Sequence, residues 1–467
     1  MDRKPRGPLP QTVPAAVQPV FAAALHYHKA GRLDIAERMF RQVLASHPRH
    51  ADSLHLLGVI AYQTGRRDLA IELIGKAIAI NPREASSRSN LGNLLMEQGR
   101  LEEAVASYRK ALGLRPGFSE AANNLGNAFK ALGRLEEAIG SYRTALDQQP
   151  DDAEVHYNLA MALLARGDMA AGWAEHEWRW KTRQLSGSHR DFAQPQWRGE
   201  VAEGRTLLIH AEQGFGDTIQ FCRYAPLAAA KGLRVVLEVP RPLVRLLAGL
   251  PGVERLVAFG DALPHFDLHC PMLSLPLALR TTPTTIPGSV PYLHADAVQA
   301  AAWRTRLDAP ARRGPRIGLA WAGNPRKHLP GTAAIGRQRS IAPDQLTPLL
   351  ALPGLHFVSL QKDGVAPPAG APLTDFMGEI GDFADTAALI ANLDLIVSID
   401  TSVAHLAGAL GKPVWLLTCL DPCWRWLTGR RDSPWYPGMR LYRQPKPGDW
   451  EPVVAAIVQD LRGFGVE

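Results

Sequence analysis

ADSLHLLGVIAYQTGRRDLAIELIGKAIAINPRE (51–84) runs directly into ASSRSNLGNLLMEQGRLEEAVASYRKALGLRPGF (85–118), and the second stretch repeats the small residues of the first in register. Pro48, Pro82, Pro116 and Pro150 stand 34 residues apart, as do Ala36, Ala70, Ala104 and Ala138. The same period joins Gly31, Gly65, Gly99, Gly133 and Gly167. It also joins Gly58, Gly92 and Gly126, with Ala160 continuing that row. Four rows with one period predict a stack of identical two-helix units. The Gly58 row removes side chains where the first helix of a unit crosses the second. The Gly65 row ends the first helix, in a left-handed conformation that costs least for glycine. The alanines sit in the second helix against the first, and each proline follows a second helix because it cannot continue one. Leu57, Ile60, Leu69, Leu73 and Ile78 supply the apolar face at helical spacing.

These rows resemble the tetratricopeptide repeat. They divide residues 17–185 into five units, starting at 17, 51, 85, 119 and 153, after a basic, Pro-rich tail (1–16) expected to be disordered. The family often places Trp at the fourth position of a repeat, where this chain has Leu54, Arg88, Ala122 and His156. Asn90, Asn124 and Asn158 recur with the same period, and Asn93 and Asn127 follow one turn later. Asn is a poor helix-interior residue. Two uses are open: hydrogen bonds between repeats, or a ladder of amides gripping an extended peptide. The second resembles the repeats of O-linked N-acetylglucosamine transferase, but Leu56 in the second repeat makes any ladder short.

The chain has 467 residues, 52 Lys and Arg against 45 Asp and Glu, and a net charge of +7. The excess is spread thinly, with no basic run, which argues against nucleic acid as a partner. The N-terminus lacks the apolar stretch of a signal peptide. No apolar run reaches the ~18–20 residues that span a bilayer. A cytoplasmic protein without a membrane span is expected, with peripheral association open. Cys222, Cys270, Cys419 and Cys423 lack the further ligands of a zinc site and read as free thiols. None of the 11 Trp precedes Trp173. Trp173, Trp178 and Trp180 are expected to end the solenoid and dock it, and Trp321, Trp424, Trp426 and Trp435 to gather near a cleft.

After a linker (186–203), strand and helix alternate. Strands are predicted at 205–211, 234–240, 254–260, 266–271, 316–323, 356–362, 395–400, 413–418 and 439–444. Helices are predicted at 217–231, 242–250, 343–352, 382–392, 402–411 and from about 449. Such alternation gives parallel α/β sheets. The Pro/Thr-rich TTPTTIPGSVP (281–291) separates two Rossmann-like lobes, 204–300 and 312–467. Ligands bind such sheets at the carboxyl ends of strands. The first strand ends in HAEQGFGDTIQF (210–221), where Gly214 and Gly216 would let the backbone come close to a substrate. Asp217 there is either a helix cap or a group facing the cleft. The second lobe opens with AWAGNP (320–325), followed by Arg326, Lys327, His328, Arg337 and Arg339, cations suited to a diphosphate. In SIDTSVAHLAGALGKPVWLL (398–417), Thr401 or Ser402 caps a helix whose N-terminus forms an anion site, and His405 lies one turn in.

These residues carry a second resemblance. GFGDTIQF and SIDTSVAHLAGALGKPVWLL are similar to glycosyltransferase family 9, the heptosyltransferases. More closely, 153–450 resembles bacterial tetratricopeptide-repeat proteins carrying a heptosyltransferase-like domain. The shared signatures are G-W-x3-E-x-R-W (Gly172, Trp173, Glu177, Arg179, Trp180), H-x-E-Q-G-x-G-D (210–217), W-x-G-N-P (321–325), R-S-I (339–341), D-T-S-V-A-H-L-x-G (400–408), W-R-W (424–426) and D-S-P-W-Y-P (432–437). The resemblance implies a GT-B fold of two Rossmann-like lobes. It implies an inverting, metal-independent glycosyltransferase with a nucleotide-diphosphate sugar as co-substrate, no cofactor, and a protein or glycan acceptor presented by the repeats. It makes Asp217 the general base. The donor side is Trp321, Gly323, Asn324, Lys327, Arg339, Ser340, Gln361, Asp400, Thr401, Ser402 and His405. The acceptor side is His210, Gln213, Gly214 and Gly216. The chain departs from the pattern in a longer loop between Asn324 and Arg339, and in Cys423 where Asp is expected before Trp-Arg-Trp. The alternative is a non-catalytic interaction protein with a degenerate transferase-like domain.

Overall fold

A computed structural model of the chain describes residues 17–308, 314–323, 339–362, 365–421 and 423–464. The tail 1–16 and the loop cations Arg326, Lys327, His328 and Arg337, with Asn324, lie outside the described residues. The chain divides into two compact units, 1–155 and 156–467.

The first unit holds eight described helices: α1 (Gln18–Lys29), α2 (Leu33–Ser46), α3 (Ala51–Gln63), α4 (Arg67–Ile80), α5 (Ala85–Glu97), α6 (Leu101–Leu114), α7 (Ser119–Ala131) and α8 (Leu135–Gln148). Each helix packs on the next, which is the stacking of a solenoid. Gly31, Gly65, Gly99 and Gly133 all take positive φ, between +73° and +80°, so the left-handed reading of that row holds. Ala36, Ala70, Ala104 and Ala138 are completely buried. The Gly58 row marks close crossings. A Cβ at Gly58 would lie 2.5 Å from Ile74, at Gly92 2.5 Å from the Tyr108 ring, and at Gly126 2.5 Å from the Tyr142 ring.

Gly126→Ala is therefore expected to destabilise the solenoid by about 1–3 kcal/mol, the range for overpacking. The higher helix propensity of Ala returns at most about 1 kcal/mol. Far-UV circular dichroism melting checks it, and an unchanged or raised midpoint would show that the helix pair spreads without cost.

The boundary between the units falls within α9 (Ala153–Arg166), and the second unit continues with α10 (Met169–His176) and a 3-10 turn, Glu177–Lys181. Its first sheet has four parallel strands in the order β3-β2-β1-β4: β1 (Thr206–His210), β2 (Arg234–Val239), β3 (Val253–Ala258) and β4 (Leu268–Pro271). The second has six parallel strands in the order β10-β9-β8-β5-β6-β7. These are β5 (Arg316–Ala320), β6 (His356–Ser359), β7 (Leu373–Thr374), β8 (Leu395–Ile399), β9 (Val414–Thr418) and β10 (Met439–Arg443). Every residue of β1, β4 and β8 is buried, as both-sided coverage requires. The second order is that of the doubly wound dinucleotide-binding sheet, and the first is its shorter version. Strand order reverses beside β1 in the first sheet and between β5 and β8 in the second. The sequence motifs leave the carboxyl ends of those three strands.

Several elements differ from expectation. The helix predicted over 217–231 breaks into Phe215–Phe221, a 3-10 turn at Cys222–Tyr224, and Ala225–Ala229, with Pro226 starting the last piece. The helix predicted over 343–352 is a 3-10 turn, Pro343–Leu346, then Thr347–Leu350 with Pro348 near its start. The short edge strand β7 and the helix Ala297–Asp308 were not foreseen. That helix has only Trp303 and Leu307 buried, too few to set a period. It spans residue 300, where the sequence ends the first lobe. It packs on the helix Phe383–Ile390 of the second, with Arg304 donating to Asn392 at 3.3 Å.

Candidate functional site at the strand ends

Asp217 lies in the first turn of the helix Phe215–Phe221. Its Oδ2 accepts the Gly214 N–H at 2.9 Å, which ties the turn to the helix. Its Oδ1 accepts from Nη2 of Arg425. Asp217 thus caps its helix, as one of the two readings expects, and keeps about 20% of its side chain exposed. Arg425, the middle residue of W-R-W, was not foreseen. Its Nε donates to Gln220 Oε1, its Nη1 to Cys423 Sγ at 2.9 Å, and its guanidinium lies 4.3 Å above the Trp424 ring. The first sheet's Asp217 is therefore held by a buried cation from the second. Cys423, which replaces the expected Asp, leaves Asp217 as the carboxylate that Arg425 bonds.

Across from Asp217, Thr401 stands before the helix Ser402–Ala409 with extended backbone and makes no side-chain cap. The helices Phe215–Phe221 and Ser402–Ala409 pack together. Gly216 permits the approach, since a Cβ there would lie 2.9 Å from His405 Cδ2. His405 Nδ1 is 3.0 Å from the Tyr436 hydroxyl, and Nε2 is 3.8 Å from Asp400 Oδ1. Burial holds this imidazole neutral, well below the usual histidine range, with the nearby Arg425 and Arg223 acting in the same direction.

Arg339 Nη1 reaches the Asp400 carbonyl at 3.4 Å, and its buried Nε has no partner among the described residues. Ser340 Oγ accepts the Gly323 N–H at 3.2 Å. Gln361 serves the backbone. Its Oε1 accepts from Trp321 and Ala322 N–H at 3.1 and 2.8 Å, and its Nε2 donates to the Ala322 carbonyl. Trp321 is fully buried in the core of its sheet. Trp424 packs on Trp173 of α10, Trp424 and Trp435 pack on each other and on Phe221, and Trp426 stacks on His405 at 5.3 Å. Of the four Trp expected to gather, Trp424 and Trp435 thus pack on each other, Trp426 packs on His405 and Tyr436, and Trp321 lies in the core of its sheet.

Of the residues the sequence assigns to the acceptor side, His210 is buried at the end of β1. Its Nε2 lies 3.3 Å from His269 Nδ1, and burial first, then neighbouring His269 and Arg190, lower its pKa to about 3. Gln213 is half-buried in the turn. The neighbour that matters structurally is Glu212, whose side chain is 2% exposed. It accepts the Leu273 N–H at 3.0 Å and a forked pair from Arg179. Arg179 also binds Glu177 at 2.6 Å and Ser274 Oγ at 2.8 Å. The Glu and Arg of G-W-x3-E-x-R-W thus meet the Glu of H-x-E-Q-G. The letters were visible in the sequence, but their pairing was not.

In the first unit the amides are largely engaged between helices. Asn90 Nδ2 pairs with His55 Nε2 at 2.8 Å. Asn93 Oδ1 accepts from Tyr108 OH at 2.7 Å and from Asn124 Nδ2 at 3.0 Å. Asn127 Oδ1 accepts from Tyr142 OH at 2.8 Å. Asn158 lies on α9. The four cysteines are free. Among the described residues, no three His, Cys, Asp or Glu are grouped to hold a metal, and no helix is long and apolar enough to cross a membrane.

Comparison with known proteins agrees with both halves of this description. Residues 21–85 match the tetratricopeptide repeat family, and 92–133 and 126–167 match a TPR repeat family. Residues 372–417 match glycosyltransferase family 9 (heptosyltransferase), and they contain the helix Phe383–Ile390, β8 and the helix Ser402–Ala409. Protein FlbA of Caulobacter vibrioides is 28% identical over 329 residues, covering 64% of this chain and 54% of FlbA. The chain thus spans about half the length of that curated relative. Among solved structures, MamA of Desulfovibrio magneticus RS-1 is 18% identical with a TM-score of 0.33, covering 38% of this chain and 100% of that one. Pseudomonas aeruginosa pilF is 23% identical with a TM-score of 0.35, covering 38% of this chain and 79% of that one. Stretches matching tetratricopeptide repeats and a stretch matching glycosyltransferase family 9 thus stand in one chain.

Proposed function

We propose that the second unit is a GT-B glycosyltransferase, inverting and metal-independent. It would move a sugar from a nucleotide-diphosphate donor to a protein or glycan acceptor recruited by the repeats. The observation that carries this reading is the packing of the helix bearing Asp217 against the helix Ser402–Ala409, which lies inside the family 9 segment. On this reading the free N–H groups at the start of the helix Ser402–Ala409 and the Arg339 guanidinium hold the diphosphate and stabilise the charge that develops as it leaves. The unpartnered Nε of Arg339 suits an anion. Asp217 takes the proton of the acceptor hydroxyl. The acceptor oxygen forms its bond to the anomeric carbon while the bond from that carbon to the phosphate oxygen breaks, and the nucleoside diphosphate departs with the electron pair. Single displacement inverts the anomeric centre.

Asp217→Asn is expected to lower transfer by about 10²–10⁴-fold, the usual worth of a general base, with nucleotide-sugar affinity unchanged. Asn is the better probe than Ala, since its amide oxygen can still accept a hydrogen bond from the buried Arg425, although the charge is lost in both. Turnover near that of the unaltered protein, measured by release of nucleoside diphosphate, would remove Asp217 from the role of base.

A further inference from the structure

We infer that Tyr436 is a positioning residue that holds His405 with its proton on Nε2, so that the imidazole offers a hydrogen-bond donor to an anionic oxygen in the cleft. The inference rests on the donor-site reading above for the identity of that oxygen, but not for the tautomer itself.

Two signatures that the proposed chemistry leaves unexplained meet here, the glycine of D-T-S-V-A-H-L-x-G and the tyrosine of D-S-P-W-Y-P. Gly408 is the contact between them, because a Cβ there would lie 2.5 Å from Tyr436 Cδ1. The missing side chain lets the Tyr436 ring lie against the helix, and its hydroxyl then reaches Nδ1 of His405, one turn earlier, at 3.0 Å. The imidazole has little freedom to turn away. Trp426 stacks on one face at 5.3 Å, and the backbone of Gly216 closes on Cδ2. The ring is buried, with the Arg425 and Arg223 guanidinium groups near it, and it stays neutral. A neutral imidazole has one proton and two places for it.

The neighbours of the two nitrogens decide between those places. Nε2 faces the Asp400 carboxylate at 3.8 Å. A lone pair on Nε2 would oppose that oxygen, whereas an N–H is attracted to it. Nδ1 faces a hydroxyl, which can donate to a lone pair. The arrangement satisfying both ends puts the proton on Nε2 and has Tyr436 O–H donating to Nδ1. The donor N–H then sits beside Asp400 at the start of the helix Ser402–Ala409, where helix and imidazole both offer hydrogen to one anion. A phosphate oxygen of the leaving diphosphate is the ligand of that chemistry.

The test is a nitrogen–proton correlation spectrum of the full chain labelled at histidine, which separates the two tautomers of each imidazole. His405→Gln identifies the His405 signals by their loss. The expected result is a single neutral His405 with its proton on Nε2, and signals that move when inorganic pyrophosphate is added. Tyr436→Phe removes the hydroxyl and keeps the ring. It should convert the single tautomer into a mixture, while leaving the remaining histidine signals in place. A proton on Nδ1 in the unaltered protein overturns the proposal without any variant. A Phe variant that folds and keeps a pure Nε2 proton overturns the role of Tyr436. If the tautomer is as expected but pyrophosphate moves nothing, the tautomer assignment stands and the phosphate ligand, with the donor-site reading, fails.

Discussion

Arg425→Met should lower the stability of the second unit by about 3 kcal/mol and abolish most transfer. Removing one member of a buried ion pair costs about 3–5 kcal/mol, because the other charge is left without its partner. Asp217 keeps about 20% exposure, so water relieves part of its loss and the lower end of the range applies. Met fills the space of the side chain, so the change reads the charge and its hydrogen bonds to Asp217, Gln220 and Cys423 more than a cavity. The assay is clean for a compositional reason. All 11 Trp lie at or beyond residue 173, so tryptophan fluorescence in urea follows the second unit alone. A loss below about 1 kcal/mol, the level of an exposed pair, would mean that the Asp217–Arg425 contact is incidental. For transfer, the expected signature is a fall in kcat with little change in donor affinity, because Arg425 orients Asp217 and has no place among the proposed donor contacts.

Arg179→Met is the second large effect, and it tests a different tie. The Arg179 side chain is fully buried between Glu177, Glu212 and Ser274, and one cation serves two carboxylates. Burial pushes the Glu212 carboxyl up to about 7, against the opposing pull of Arg179. Without Arg179 that carboxyl must stay protonated or sit unpaired, and a loss of about 3–5 kcal/mol is expected. The pH dependence has a definite sign. A carboxyl whose folded pKa lies above its unfolded value binds its proton more tightly when folded. Its stabilising contribution is complete below about 4.5 and is lost as pH rises through about 7. Glu212→Gln should therefore gain stability relative to the unaltered protein as pH rises across that window. Urea midpoints at pH 5 and pH 8 measure it. A gap that stays constant or moves the other way would show that Arg179 holds Glu212 fully ionised. The structural consequence is local to the strand end. Glu212 sits between β1 and the Gly214 turn, so the same network fixes the turn that Asp217 grips.

Much of the architecture was legible because it is written in spacing. The 34-residue rows specify helix ends, crossings and breaks separately, and each row has one physical reading. The strands of the second unit stand out as short apolar runs, since both faces of a parallel sheet are covered. Helices there were harder to read. Pro226 and Pro348 divide what the periodicity joins, and Ala297–Asp308 buries too little to show a face. The candidate site was legible as motifs at strand ends, but the close approach at Gly216 is to His405 of a neighbouring helix, where the sequence suggests a substrate. Which distant side chains bond to one another was not legible. Asp217 with Arg425 are 208 residues apart and His405 with Tyr436 are 31 apart, and neither separation carries a signal in one sequence. The amides of the repeats illustrate the same limit. Their periodicity is visible, but only coordinates show Tyr108 and Tyr142 engaging Asn93 and Asn127.

The central claim is sugar transfer that depends on Asp217. The most direct measurement is intact-mass and glycan analysis after incubating the full chain with a panel of nucleotide-diphosphate sugars and cell lysate, with Asp217→Asn run in parallel. The account predicts an acceptor that gains one sugar mass from one donor of the panel, stoichiometric release of the nucleoside diphosphate, and loss of both with Asp217→Asn. Binding of a nucleotide without any mass gain across the panel, or equal mass gain with Asp217→Asn, would contradict it.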